Sequence, residues 1–325
     1  MTVRLYENKD FEAVLSLWNT AGVSGIGYAP QDAAGLKSLI FENPFFCPEH
    51  SFVAEEAGRV IGFVNGTTGD TLSRGAERGY VSCVLLADGF NTADRTESLL
   101  RVLEDSFRAK GKIHSAVTCF NPIRLPWIIP GTPGHQHNNM PGIARDIPLY
   151  GFMTDFGYAE GSTEQAMYFP LADFEIPDRV REAEARMATE DRFVDWYREG
   201  VHEGLDEMVD SLQNTMWSDE VPKAGHGGMK LLVGLEGNVV SGFTGPVYPE
   251  PTGRGYFAGI AVGPSFRGHG YGKLLFYKLC EAEKECGAAY MSLFTGVDNP
   301  AQNIYKEVGF QVRRYFAVMI KDLTK

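Results

Sequence analysis

The sequence predicts a mixed α/β chain of two related domains in tandem, residues 1–172 and 173–325. Three observations lead there. A length of 325 residues suits two domains of ordinary size. A hairpin pattern occurs twice: residues 52–63 read F-V-A-E-E-A-G-R-V-I-G-F and residues 231–243 read L-L-V-G-L-E-G-N-V-V-S-G-F. Each is a pair of short apolar runs joined at a turn that contains Gly. A helix-end pattern follows each hairpin, F-M-T-D-F-G-Y at residues 152–158 and Y-K-E-V-G-F at residues 305–310. Both put Gly at the C-cap and an aromatic at the start of the next strand. Gly62 and Gly157 are 95 residues apart, whereas Gly242 and Gly309 are 67 apart. The difference of 28 equals the length of residues 121–148, a Pro-, Gly- and His-rich segment that reads as an insertion in the first copy. The boundary is expected near residues 171–177, where a strand ends and a charged helix begins.

The elements follow in order. A strand over 3–6 leads into a helix over 10–21, with Phe11, Val14, Leu15 and Trp18 on one face. A second helix covers 31–41. The hairpin, a strand over 80–86, a long helix over 92–110 and a strand over 115–119 come next. The insertion, a short helix and a strand near 166–170 complete the first copy. The second copy repeats the order: helices within 178–215, hairpin 230–246, strand 256–262, helix 270–286, strand 290–295, helix 300–308 and strand 310–320.

Composition narrows the class. The chain is 44% hydrophobic and 22% charged, as in ordinary globular domains. Its first ten residues are polar, without the apolar core of a secretory signal. No apolar run approaches the roughly 18 residues of a membrane span. The five cysteines are odd in number and form no C-x-x-C pair, so they read as thiols in a reducing cytoplasm. The net charge of −12 argues against nucleic acid; it reads first as a solubility effect and is compatible with a cationic amine substrate.

The chemistry-bearing segment is R-G-H-G-Y-G at residues 267–272, between an apolar run over 257–262 and an amphipathic run over 273–286. Strand, glycine-rich turn and helix start together make a phosphate cradle. The first N–H groups of a helix lack partners inside it, and glycine lets a ligand approach the backbone. A dinucleotide loop needs G-x-G-x-x-G, whereas Gly268, Gly270 and Gly272 alternate here. A P-loop needs a following Gly-Lys-Ser/Thr, which is absent.

The run V-G-P-S-F-R-G-H-G-Y-G-K-L-L over residues 262–275 resembles the pyrophosphate loop of the GNAT superfamily of acyl-CoA-dependent N-acetyltransferases. Downstream, D-N-P-A-Q-N-I-Y-K-E-V-G-F over residues 298–310 is similar to that family's N-x-x-A-x-x-L-Y-x-x-x-G-F block. The resemblance implies a mixed, mostly antiparallel sheet with helices on both faces in each copy. It implies that Arg267, Gly268, His269, Gly270, Tyr271, Gly272 and Lys273 hold the CoA pyrophosphate. Ile260, Ala261 and Val262 would pair with the pantetheine arm, and Asn299 and Asn303 would lie along it. Asp298 stands where the family has its Asn, with Asn299 one residue late. Tyr305 would be the general acid that protonates the departing CoA thiolate; a core aromatic is the alternative. No carboxylate lies in residues 256–262, so the general base stays open among Asp219, Glu220, His226 and Glu250.

The first copy reads as degenerate. Ala93, Arg95 and Glu97 are taken as counterparts of Gly268, Gly270 and Gly272, and Met153 as that of Tyr305. The insertion, with six prolines and the run G-H-Q-H-N-N, is expected to be a rigid surface loop and not a metal site. Trp196, Tyr197 and Trp217 are expected to be helix-packing residues. The functional expectation is an acetyl-CoA-dependent N-acetyltransferase acting on a primary amine of a small molecule or peptide by direct attack. It would need no metal, nucleic acid or membrane. The rivals are a non-catalytic acyl-CoA-binding module and a mycothiol-synthase-like transferase acting on a cysteinyl amine.

Overall fold

The computed structural model describes residues 1–325, the side chain of Thr215 excepted. They form two compact units. One comprises Met1–Ala166, Phe294–Asn299 and Val312–Lys325; the other comprises Met167–Leu293 and Pro300–Gln311. A single cut at residue 172 was the expectation from sequence. The contacts switch at Ala166 instead, and two later segments return to the first unit. Among the described residues, no helix is long and apolar enough to cross a membrane.

In the first unit, β1 (Thr2–Leu5) pairs antiparallel with β2 (Ser51–Glu56). Between them lie α1 (Phe11–Leu17) and α2 (Ala33–Leu36), each continuing as wider π-type turns. Strands β3 (Arg59–Thr67) and β4 (Arg78–Leu86) extend the antiparallel sheet. A crossover through α3 (Ala93–Ala109) makes β5 (His114–Val117) parallel to β4. Then follow the ribbon β6 (Trp127–Ile128) and β7 (Gln136–His137), β8 (Ile143–Ala144), α4 (Pro148–Asp155) and β9 (Ala159–Pro170). The last strand of the chain, β17 (Gln311–Asp322), pairs antiparallel with β5 and β8, and these partners place it in the first unit.

Glycines let α3 lie close on this sheet. A Cβ on Gly79 would stand 2.3 Å from the Phe107 ring, and one on Gly66 would meet Phe107 and Leu103. The insertion is not a surface loop. Ile123, Leu125, Trp127 and Ile129 are all buried. The Asn121 amide donates to the Val81 carbonyl of β4 at 2.8 Å, and the Trp127 indole donates to the Asn139 carbonyl at 3.2 Å. Alternate apolar residues from 123 to 129 were the available signal, outweighed by Pro126 among them and by Pro122 and Pro130 on either side. His137 is 3% exposed and accepts from the Asn139 N–H, so its role is in packing.

The second unit opens with α5 (Asp178–Ala188), β10 (Arg192–Trp196), α6 (Leu205–Asp210) and α7 (Thr215–His226). The expected all-helical stretch thus contains a strand that ends on Trp196. Strands β11 (Leu232–Glu236) and β12 (Val239–Gly245) form the hairpin. They are followed by β13 (Tyr248–Pro249), β14 (Arg254–Tyr256), β15 (Gly259–Val262), α8 (Tyr271–Glu285), β16 (Tyr290–Gly296) and α9 (Gln302–Val308). The sheet β10-β11-β12-β15 is antiparallel throughout.

Alternation along β11 shows how helices cover both faces. A Cβ on Gly234 would meet Tyr271 of α8 at 2.9 Å. Its neighbours Val233 and Leu235 join a core with Leu205, Met208 and Val209 of α6, Val221 of α7, and Phe243. Each of these buried side chains contributes about 1.5–3 kcal/mol. Asn214 caps α7 by accepting from the Met216 and Trp217 N–H groups.

The two units repeat each other in register. Ala54 pairs with Gly62 and then Glu55 with Val60; Gly234 pairs with Gly242 and then Leu235 with Val240. A bulge therefore leaves Ile61 and Ser241 unpaired at the same place in each hairpin. Gly62 pairs in turn with Leu86, and Gly242 with Val262. The match predicted from sequence is thus carried by backbone pairing as well as by residue pattern.

Buried Glu283 on α8 sets a pH dependence for the fold. It is 0% exposed and packs on Gly255. Burial pushes its carboxyl up to about 9, with the Arg254 cation offsetting part of the effect. The folded chain therefore keeps a proton that the unfolded chain loses above the ordinary carboxylate range. Raising the pH from about 4.5 to 9 favours unfolding, by up to about 1.4 kcal/mol per unit. Glu283→Gln is expected to raise the melting temperature more at pH 8.5 than at pH 5.5. A gain independent of pH would contradict this assignment.

Candidate active site

The sheet of the second unit opens at one strand. Arg254 and Gly255 pair with Tyr290 and Met291 of β16, in parallel. Two residues later the chain has left that partner, and Gly259 to Val262 pair with β12. Beyond the break at Phe257 and Ala258, β15 has only β12 beside it among the described strands. The Gly263 N–H donates to the Ser241 carbonyl at 2.8 Å. By antiparallel alternation, the peptide groups of Ala261 and Gly259 face β12, and those of Ile260 and Val262 face away. The Arg267 side chain confirms the direction, since its Nε donates to the Val262 carbonyl at 3.4 Å. All three residues, Ile260, Ala261 and Val262, are half-buried.

The free edge runs into the glycine turn. Gly268 and Gly270 have φ of +85° and +87°, conformations that L side chains adopt with strain. Gly270 is the N-cap of α8, and the first intrahelical bond runs from Leu274 N–H to the Gly270 carbonyl at 3.2 Å. The N–H groups of Tyr271, Gly272 and Lys273 therefore have no partner within the helix. Arg267, Gly268, His269 and Gly270 are exposed. The Tyr271 side chain turns inward, 1% exposed, with its hydroxyl donating to the Leu235 carbonyl at 2.6 Å. It offers the turn only its backbone. The Lys273 ammonium pairs with Glu307 of α9 at 2.6 Å. Glu307 also accepts from Arg179 at 2.9 Å, and these two cations hold its carboxyl below the usual range.

Tyr305 stands on α9 and is 7% exposed. Its ring lies 4.6 Å from that of Phe276, which lies 6.5 Å from that of Phe257 at the break in the strand. Phe276 thus links Tyr305 to the open end of the sheet. No hydrogen bond to the Tyr305 hydroxyl occurs among the described residues. Burial pushes its phenol up to about 12, so it keeps its proton at neutral pH. Asn303 is exposed on α9. Asn299 belongs to the first unit, where its amide donates to the Thr295 hydroxyl at 2.9 Å.

The four carboxylate and imidazole candidates separate. Asp219 pairs with Lys223 on the surface, and Glu250 pairs with Arg254 at 3.0 Å. His226 lies between Glu199 and Asp206, which raise its pKa through hydrogen bonds. Glu220 accepts from the Tyr256 hydroxyl at 2.5 Å, beside the strand break. Trp217, one turn earlier on α7, donates from its indole to the Ala258 carbonyl at 3.1 Å. A Cβ on Gly259 would be 2.6 Å from that indole. Trp217 therefore supports the strand itself, a role its expected helix packing did not include. The signal was Gly259 inside a strand, which marks a close approach. Among the described residues no His, Cys, Asp and Glu side chains group as metal ligands. All five cysteines are free thiols, and only Cys83 and Cys280 are buried.

The first unit lacks this turn, and in a different register from the one expected. Thr92 caps α3 as Gly270 caps α8. The counterpart of Gly270 is thus Thr92, that of Gly272 is Asp94, and Phe90 stands two residues before the cap as Gly268 does. The expected set of Ala93, Arg95 and Glu97 is displaced by three residues, because the turn of the first copy is shorter. Met153 does correspond to Tyr305: each lies four residues before a helix-ending glycine, Gly157 at φ +95° and Gly309 at +115°.

Residues 186–310 match the family model described as Acetyltransferase (GNAT) family. No curated protein matches the chain in sequence. Among solved structures, a GCN5-related glucosamine N-acetyltransferase region of a fungal multi-domain GH3 β-N-acetylglucosaminidase is similar at a TM-score of 0.72 and 16% identity, over 98% of this chain and 38% of that one. A GCN5-related N-acetyltransferase from Sphaerobacter thermophilus gives 0.63 and 14%, over 99% and 95% of the two chains. A tandem GNAT protein from the clavulanic acid biosynthesis pathway gives 0.59 and 14%, over 99% of both. The chain spans under two fifths of the first of these and nearly all of the other two. These likenesses establish the fold as a tandem GNAT arrangement.

Proposed function

We propose, of a chain whose residues 186–310 form a GNAT acetyltransferase domain, that its second unit moves an acetyl group from acetyl-CoA to a primary amine. One observation carries the reading: the unpaired edge of Ile260 and Val262 leads directly into the open N–H groups of the α8 start. An extended amide chain ending in a pyrophosphate fits that sequence of groups. The pantetheine amides would pair with the edge like an added strand. The pyrophosphate would rest on Gly268 to Lys273, where the turn and the helix start favour an anion. Arg267 and Lys273 would add positive charge, His269 would lie at the turn, and Asn303 would border the arm. Asn299 has no role in this reading, since it belongs to the first unit.

The chemistry needs few groups. The amine nitrogen attacks the thioester carbonyl carbon, the C–N bond forms, and the C–S bond breaks. The CoA sulfur leaves as a thiolate and takes a proton from Tyr305. An acceptor that arrives as an ammonium first gives one proton to solvent; after attack the nitrogen loses a second to solvent, and the phenol regains its own from solvent. Amine and thioester become amide and thiol. The net charge of −12 draws an ammonium-bearing acceptor toward the protein.

The test is thiol release from acetyl-CoA with a panel of amines: a peptide N-terminus, a polyamine, glucosamine, an amino acid and a cysteinyl amine. Amine-dependent release, with CoA raising the melting temperature, is the expected result. Stabilisation by CoA without turnover on any amine would leave a binding module in place of an enzyme.

A further inference from the structure

The start of β17 gathers arginines on the first unit. An open cleft of about 390 Å³ there is lined by Arg145, Asp146, Arg313, Arg314 and Tyr315. Ala144 of β8 stands opposite Phe316 of β17, and the Arg145 N–H donates to the Tyr315 carbonyl at 3.0 Å. Arg145 is therefore opposite Tyr315, and strand alternation puts Arg313 on the same face. Arg145 and Arg313 are diagonal neighbours with backbones about 7–8 Å apart, close enough for both long side chains to meet one small ligand. Both are held by their surroundings. The Arg145 guanidinium lies over the Tyr150 ring at 5.7 Å and approaches Glu160 at 3.6 Å. That of Arg313 passes beside the turn of the insertion, where a Cβ on Gly131 would stand 3.3 Å from its Nη1. Arg314 points to the other face, where its Nε donates to Asp146 at 2.8 Å and its Nη1 to the Ile26 carbonyl at 2.8 Å. Set against Asp146 and Glu160, the three arginines leave one positive charge in excess, in a chain whose net charge is −12. The Tyr315 ring beside them is 48% exposed.

We propose that this cleft binds an oxyanion, phosphate or carboxylate, carried on a planar ring. A guanidinium presents five N–H donors in one plane and matches two oxygens of such a group at once. Arg145 and Arg313, from neighbouring strands, would grip the anion from two sides. Tyr315, between them along the strand, offers a flat apolar face on which the ligand's ring would rest. The space is that of a small-molecule site. Arg314, already paired with Asp146, closes one wall and adds no net charge. The site stands on the first unit alone and does not depend on the chemistry of the second.

The experiment is calorimetry on the full chain with phenyl phosphate, benzoate and phenol titrated separately. At least one of the two anions is expected to bind with a Kd of about 1 mM or tighter, and the tighter of them names the oxyanion. Phenol, the ring without the charge, should not bind in that range. Affinity for the anion should fall at least about tenfold in Arg313→Gln and about threefold or more in Arg145→Gln, whose charge Glu160 already offsets in part. Tyr315→Ala should also cost about threefold or more. Arg145 and Tyr315 are exposed, so their variants keep the test open should Arg313→Gln fail to fold. Gly272→Asp, in the second unit, should change nothing. Binding of neither anion, or undiminished binding in the arginine variants, would overturn the proposal. Equal binding of phenol, or an unchanged affinity in Tyr315→Ala, would overturn it as stated for a ring-borne anion. Loss of binding in Gly272→Asp with the arginine variants unaffected would place the anion at the turn before α8, refuting this site and supporting that turn as a phosphate cradle.

Discussion

Tyr305→Phe is expected to lower kcat by about 10²-fold or more and to leave the affinity for CoA within about twofold. The change removes one oxygen and keeps the ring against Phe276, so the packing of α9 is conserved. The effect then isolates the proton. Burial holds the phenol at about 12, so the wild-type donor is protonated throughout the working range. Its ionisation therefore adds no falling limb to the rate below about pH 10. Steady-state kinetics with CoA titrations check both statements. Unchanged turnover would return Tyr305 to the core of the second unit as an ordinary aromatic.

Gly272→Asp should separate ligand binding from stability, with effects of opposite sign. A Cβ at Gly272 would lie 3.7 Å from both Ile304 and Val262, an ordinary contact, and its φ is not left-handed. The side chain fits. A carboxylate in the first turn favours the helix dipole, so the free protein should melt at the same temperature or higher, by about 0.3–1 kcal/mol of stability. The same charge meets the incoming pyrophosphate. Two like charges about 4 Å apart repel by about 4 kcal/mol at an effective dielectric near 20, so CoA affinity should fall at least about 100-fold. The first copy already carries this substitution as Asp94. Undiminished CoA binding in Gly272→Asp would mean that the turn is not the anion site.

The legible parts of the molecule were those written in local residue pattern. Both hairpins, the C-capping glycines Gly157 and Gly309, the turn at 267–272 and the place of Tyr305 all follow from short motifs. What was hidden depends on partners distant in sequence. The strand ending at Trp196 exists because β11 lies beside it, and its five residues give too short a run to betray an alternation among charges. The buried insertion has its pattern masked by proline. The pairing of Tyr256 with Glu220 spans 36 residues and leaves no mark in spacing. The counterpart of Gly270 was misplaced by three residues because cap geometry, not composition, decides where a helix begins.

The assignment of β17 to the first unit has a consequence for how the protein is made. A ribosome delivers β5 about 190 residues before the strand that completes its edge. At roughly 5–20 residues per second, that edge waits about 10–40 s during synthesis. For that interval the nascent first unit shows an open row of N–H and C=O groups, the kind of surface that recruits a strand from another chain. Chaperone demand should concentrate in this window and end once β17 has paired with β5.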